Sequence, residues 1–289
     1  HRAQILQRQS TLADVSVFTQ TQTTLGVLIF NWVRDDASFL REQRVRVALQ
    51  AGLDRASIID RNLTDAAVPA SSPLIPGSWA YLADLPWASF DPAQSLSQLA
   101  MASERIVASE TPSPDATPSE VPSTFFELSI LTPDNPALTN LANEIAAQWS
   151  QLNLSVSVAV ADPETYRQRL NEGDFVVALV EYSLGSSADP DVYPFWNQGQ
   201  TPPDGLNYGS ADDGRISELL ERARREPSGI NRISLYHEFQ QEFAERAIAI
   251  PLYYPLFTYA VSARFDGIQM GFMGTRSDRF RTLGDWRVR

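Results

Sequence analysis

Between Phe125 and Val180 three strand-like stretches alternate with two helical ones, and this alternation constrains the fold more than any other feature of the chain. Phe125–Leu131 reads as a strand. Leu138, Leu141, Ala142, Ile145, Trp149 and Leu152 then recur at i, i+3/i+4 spacing, which predicts a helix over 136–152. Val156, Val158 and Val160 alternate along Leu154–Val160, as in a strand covered on one face. Asp162-Pro163 predicts an N-cap with proline in the first turn of a short helix running to Gly173. The unbroken apolar run Phe175–Val180 predicts a strand buried on both faces. Strands joined by crossover helices form a parallel sheet, so the class is α/β.

The segment just beyond this last strand points toward function. Tyr182-Ser-Leu-Gly-Ser-Ser-Ala-Asp-Pro-Asp-Val-Tyr-Pro-Phe-Trp196 passes from small, flexible residues into a proline-locked turn rich in acids and aromatics. In open α/β sheets ligands bind beyond the carboxyl ends of the strands, so this stretch is expected at the rim of a cleft. Trp79, Tyr81, Trp87, Tyr182, Tyr193, Phe195, Trp196 and Tyr208 all stand in or beside loops. Such rings line small-molecule clefts, and each taken singly also serves to seal a core under a long loop.

The flanking regions are less regular. Residues 25–33 read as a strand, Arg34-Asp-Asp36 as a turn, and 41–52 and 55–63 as helices, the second capped by Asp54. Residues 68–92 carry no period and read as a long surface loop, and Asp91-Pro92 opens a further helix to about 105. Residues 109–124 hold four prolines and almost no large apolar side chains, so they are expected to be disordered. Helices are expected at 213–226 and 230–246, and two strand-like runs at Ile248–Tyr254 and Phe257–Val261.

Several function classes are excluded or weakened at this level. A net charge of −12 opposes nucleic-acid and anionic-membrane partners, which need a positive surface. All 23 basic residues are arginine, and cysteine is absent, which removes disulfides, thiolate metal sites and cysteine nucleophiles. No apolar run reaches the roughly 20 residues that span a bilayer. His237 falls on the 230–246 helix away from Phe239 and Phe243 and reads as a solvated or partly buried helix residue. No nucleophile elbow, phosphate loop or dinucleotide fingerprint occurs. The acid pairs Asp35/Asp36, Asp189/Asp191 and Asp212/Asp213 lack calcium-loop spacing, and an acidic chain supplies such pairs by chance. The expectation is a binding protein with no cofactor and no metal.

Phe30-Asn31, followed by Phe39-Leu-Arg-Glu-Gln-Arg-Val-Arg-Val-Ala-Leu-Gln-Ala-Gly-Leu-Asp-Arg55, resembles a signature of the family 5 extracellular solute-binding proteins of ABC importers. Pro73–Tyr81 looks like that family's Pro-rich loop, Asp189-Pro-Asp191 with Tyr193, Phe195 and Trp196 like its Asp-Pro-Asp element, and Asn207-Tyr208 fits as well. The resemblance implies a type II periplasmic-binding-protein lobe with a mostly parallel mixed sheet flanked by helices. Residues 1–24 would then be a crossover segment from a missing N-terminal lobe, 25–250 the C-terminal lobe, and 251–289 a return segment toward the first lobe. It also implies a small solute, peptide or other polar ligand, closed between two lobes, ABC permease subunits as membrane partners, and an extracytoplasmic, membrane-anchored location.

The ligand-binding residues expected on this basis are Trp79, Tyr81, Tyr182, Leu184, Gly185, Ser186, Ser187, Asp189 and Trp196. In peptide-binding members an acid shortly before the Asp-Pro-Asp element receives the ligand's amino terminus. Leu184, Gly185, Ser186 and Ser187 hold none here, which favours a neutral or polyol ligand. Arg44 and Arg46 read as surface or capping arginines. The chain's first residues, His1-Arg-Ala-Gln, lack the sections of a signal peptide and read as the middle of a longer polypeptide. A stand-alone lobe acting as a protein-interaction module is the second reading.

Overall fold

A computed structural model describes residues 15–110, 124–185 and 189–289. Seven strands make one mixed sheet: β1 (Val15–Thr21), β2 (Thr24–Phe30), β3 (Ala67–Pro69), β4 (Glu127–Pro133), β5 (Ser155–Ala161), β6 (Val177–Ser183) and β7 (Ala249–Ser262). Their order is β1-β7-β2-β6-β4-β5, with β3 on the flank of β7. The predicted β-α-β-α-β unit is present: β4 pairs in parallel with both β5 and β6. The other half of the sheet is antiparallel, β2 lying between β6 and β7 and β7 pairing with β1.

The helices cover both faces. α1 (Gln43–Ala51), α2 (Arg55–Asn62), α3 (Pro92–Glu110) and α4 (Pro136–Ser150) lie on one side. α5 (Pro163–Glu172), the single turn α6 (Tyr193–Trp196), α7 (Gly214–Arg225) and α8 (Gly229–Glu245) lie on the other. β6 shows the division residue by residue. Val177 and Leu179 enter the core under α4, while Ala178 and Val180 enter the core under α7 and α8. Val177, Leu179 and Val180 each contribute about 1.5–3 kcal/mol on burial. The helix starts follow the predicted caps: Asp54 accepts from Ser57 N at 3.1 Å, and Asp162 accepts from Glu164 N at 3.0 Å and Thr165 N at 3.2 Å.

Four expectations need correction. β6 starts two residues later than the apolar run and continues to Ser183, so Tyr182 belongs to the strand and not to the loop. Val160 is exposed, because β5 is the outermost strand and no neighbour covers its end. The two strand-like runs of the tail are one 14-residue strand, carried across Pro255 by pairing to β3 and β1. Residues 70–82 are only partly on the surface: Ala70, Ser72, Leu74, Ile75 and Ala80 are buried, while Gly77 and Trp79 are exposed. Their backbone is satisfied by side chains distant in sequence. Tyr254 Oη lies 2.7 Å from both Ser72 O and Leu74 O and shares its one proton between them, and Gln240 Nε2 donates to Ala80 O at 2.8 Å. The segment expected to be disordered, 109–124, lies outside the described residues over 111–123. Among the described residues no helix is long and apolar enough to cross a membrane.

Gly26 is a point of close approach in the sheet. A Cβ there would stand 2.3 Å from Cε1 and Cζ of Tyr253, whose ring lies across β2. Tyr253 is buried, so it has nowhere to retreat. Gly26→Ala is expected to lose about 1–3 kcal/mol from overpacking, measured by denaturant unfolding; an unchanged midpoint would show that the ring can move.

Candidate functional site

The parallel part of the sheet creates an opening where its strands end. β4 pairs with β6 only through Ile130–Val177 and Leu131–Ala178, then turns away at Pro133 into α4. β6 runs on to Ser183, still paired to β2 on its other side. The edge left free over 179–183 forms the floor of a cleft of about 310 Å³. α4 and α5 wall it with Leu138, Tyr166 and Arg167, and the far side is closed by Phe195, Leu206 and Tyr208. The position is the carboxyl edge of a parallel sheet, where α/β folds bind ligands.

The cleft walls combine aromatic faces with fixed polar groups. Tyr166 Oη donates to Leu179 O at 2.7 Å, and Tyr182 Oη donates to Leu206 O at 2.8 Å. Tyr182 stacks on Tyr208 with centroids 6.1 Å apart and packs against Phe195 and Trp196 at 4.7 and 5.4 Å. Burial pushes the Tyr166, Tyr182 and Tyr208 phenols above their ordinary pKa, so all three are neutral donors at physiological pH. The cleft's charged groups are Glu181 and Arg167. A second cavity of about 240 Å³ meets the first at Ser183 and is lined by Thr23, Thr24, Phe257, Met273, Thr275 and Arg276 among others. The arrangement offers hydrophobic contact, hydroxyls and one carboxylate, and among the described residues no cluster of His, Asp or Glu suits a metal ion.

The expected ligand residues fall into separate places. Tyr182 lines the cleft. Trp196 is a buried core residue with its ring edge-on to Phe243 at 4.8 Å. Leu184 is buried and its N–H donates to Thr23 O; Gly185 adopts a φ of +91°, which favours glycine. Ser186 and Ser187 lie outside the described residues. Trp79 and Asp189 meet on Arg232: its guanidinium lies 5.3 Å from the Trp79 ring and donates to Asp189 at 2.8 Å. Tyr81 is half-buried, its Oη 2.6 Å from Ser71 Oγ. Asp191 is held by Arg224 through both carboxylate oxygens. The Asp-Pro-Asp turn is thus tied to α7 and α8 by arginines. His237 is partly buried on α8, in line with its reading as an ordinary helix residue.

Sequence reasoning missed Tyr166 and Arg167. Tyr166 precedes Leu170 by one helical turn, so an apolar stripe on α5 was there to be found. Met273, Thr275 and Arg276 carried no signal, coming from the irregular tail.

Comparison with known proteins places this architecture. The family model "Bacterial extracellular solute-binding proteins, family 5 Middle" matches residues 2–203. Di/tripeptide-binding protein 1 of Pseudomonas aeruginosa is 24% identical over 239 residues, covering 83% of this chain and 41% of that protein. Heme-binding protein A of Haemophilus influenzae is 23% identical over 262 residues, covering 91% and 45%. The chain therefore spans less than half the length of these curated relatives. The solved structure of HbpA2 from Haemophilus parasuis superposes with a TM-score of 0.83 at 19% identity, over 99% of this chain and 52% of that one. The α/β fold is that of type II periplasmic binding proteins, as the resemblance implied. These relatives are named as binding proteins and not as enzymes. With the family model matching well over half of its residues, the chain belongs to the bacterial extracellular solute-binding proteins of family 5.

Proposed function

We propose that the chain serves as the C-terminal lobe of an ABC-importer solute-binding protein and supplies one wall of a cleft that closes on a small polar solute. The observation that carries this reading is the 310 Å³ opening at the carboxyl edge of β4 and β6, with Tyr166, Tyr182, Tyr208 and Glu181 among the residues that line it. The relatives' names support a solute such as a peptide or heme. Closure follows from contacts made on both lobes, which favour the closed form only when solute is present.

Domain organisation belongs to the same proposal. β1 and the outer half of β7 pair over Val15–Thr21 and Leu256–Ser262 as a two-stranded ribbon at the sheet's margin. We read this ribbon as a crossover and a return strand between lobes, with residues 1–24 arriving from a first lobe and 251–289 leading back to it. The solute-loaded protein would then dock on ABC permease subunits from the extracytoplasmic side, held near the membrane by an anchor on the first lobe.

Mass spectrometry of small molecules retained by the two-lobed protein tests the reading. Ser183→Trp, which fills the junction of the two cavities, is expected to abolish retention while leaving the circular dichroism spectrum unchanged. Retention that survives this substitution in a folded protein would overturn the cleft assignment. The 289-residue chain alone is expected to bind in the millimolar range, since half the contacts are absent; calorimetry showing micromolar affinity would remove the need for closure.

A further inference from the structure

β5 ends the sheet, and its outer edge has no strand beside it among the described residues. Its pairing with β4 decides which backbone groups that edge carries. Ser155 N donates to Phe126 O at 2.9 Å, and Asp134 N donates to Ala161 O at 2.8 Å. In a parallel ladder every second residue turns its polar groups to the same neighbour, so Ser155, Ser157, Ala159 and Ala161 face β4. The N–H and C=O groups of Val156, Val158 and Val160 therefore point outward, where no other strand among the described residues takes them up.

Sheet edges are ordinarily shielded by charges, proline, bulges or shortness, since a bare row of donors and acceptors templates further pairing. β5 has none of these devices. Its seven residues, Ser-Val-Ser-Val-Ala-Val-Ala, include no charge and no proline, and its register with β4 runs without a shift. Val160 is 47% exposed, and Val156 and Val158 are only half-buried against the core under α4.

The row is also self-complementary. A two-fold axis through Val158 sets two copies of β5 antiparallel, with Val158 opposite itself and Val156 opposite Val160 of the other copy. Every outward N–H then meets an outward C=O, and valine meets valine along one face. Electrostatics favours the same site. The chain carries a net charge of −12, which repels a second copy on average, whereas this edge is uncharged. Asp162, the acid that follows the strand, falls opposite Leu154 of the other copy and never faces its equivalent. β1, at the opposite margin of the sheet, is uncharged too, but in the reading above it continues into a first lobe.

We propose that the outer edge of β5 is a self-association surface, on which a second copy of the chain adds its own β5 antiparallel and joins the two sheets. An edge of this length buries less than the roughly 1,200 Å² at which stable complexes begin, so the dimer is expected to be weak, with a Kd of about 10–100 μM.

Sedimentation velocity and backbone amide hydrogen exchange of the 289-residue chain, each run from about 1 to 500 μM, test this. Dimer is expected to form as concentration rises and to strengthen with added salt, which screens the net charge. In the dilute protein the amides of Val156, Val158 and Val160 should exchange faster than those of Ser157 and Ala159, and in the concentrated protein all five should be protected. Val160→Lys, at an exposed position, should weaken the dimer about tenfold or more. Val158→Pro removes the central outward N–H without removing a bond to β4 and should abolish the dimer. Val17→Lys on β1 should leave it unchanged. A protein that stays monomeric throughout would overturn the proposal. So would a dimer whose Val156, Val158 and Val160 amides stay fast, or one that survives Val160→Lys and is lost in Val17→Lys. Protection of those three amides in a monomer at every dilution would show the edge covered from within the chain, and would overturn it equally.

Discussion

Replacing Arg46 by methionine is expected to destabilise the fold by about 3–5 kcal/mol, the loss expected when several buried acceptors are left without a donor. Arg46 stands on α1 and is 2% exposed. Its guanidinium donates to four backbone carbonyls: Ala247 O at 3.0 Å, Leu40 O at 2.9 Å, Arg41 O at 2.7 Å and Arg246 O at 2.9 Å. Two of these carbonyls follow the end of α8 and two belong to the turn before α1, so a single side chain satisfies the chain at both places. The same group lies 3.9 Å over the Trp32 ring. Burial pulls its pKa down to about 10, which still leaves it a cation at neutral pH. Methionine would restore part of the volume and none of the donors. Lysine, a point charge without the planar fork, should recover less than half of the loss. Urea unfolding of the parent, Arg46→Met and Arg46→Lys proteins checks this, and an Arg46→Met protein within about 1 kcal/mol of the parent would refute it. By contrast, exposed pairs such as Arg225–Glu221 are each worth less than about 1 kcal/mol.

The second large effect is alkaline unfolding. Tyr166, Tyr182, Tyr253 and Tyr254 have phenols raised above their ordinary value of 10.0, in each case chiefly by burial. Above pH 10 the unfolded chain releases these protons while the folded chain retains them. The unfolded state then binds fewer protons, so stability is fully present below about pH 10 and falls as pH rises. Each tyrosine contributes a slope of about 1.4 kcal/mol per pH unit. Arg46 and Arg55 act in the opposite sense, because burial lowers their folded values and the unfolded chain holds those protons longer. The raised tyrosines outnumber these two arginines, so the net expectation is a loss of stability as pH rises above about 10. Tyrosinate absorbance is expected to rise together with the loss of near-ultraviolet circular dichroism. Complete tyrosinate formation with that signal intact would show that the phenols are not held by the fold.

Much of the architecture was legible residue by residue. The alternation at Val156 and Val158, the helical spacing from Leu138 to Trp149, and the caps Asp54 and Asp162 each depend on neighbours within a few positions. The site was legible only as a region. Of the expected residues, Tyr182 lines the proposed cleft at the carboxyl edge of the sheet, a position that follows from where a strand ends. Tyr182 and Trp196 could not be told apart as cleft and core residues from composition, since a ring seals a core or lines a cleft according to what packs over it. Nor could the burial of much of residues 70–80 be foreseen, for its hydrogen bonds come from Tyr254 and Gln240, more than 150 residues away.

By itself, then, the sequence determined the α/β class, the parallel β4–β5–β6 unit and the end of the sheet at which a cleft should open. Those properties are set by backbone periods of 2 and 3.6 residues and by local capping, which any short window displays. Tertiary structure alone decided that Arg46 is a buried donor to carbonyls some 200 positions away, and that Tyr253 reaches Glu181 across a glycine. Strand order brings such residues together, and strand order is a property of the whole packed chain.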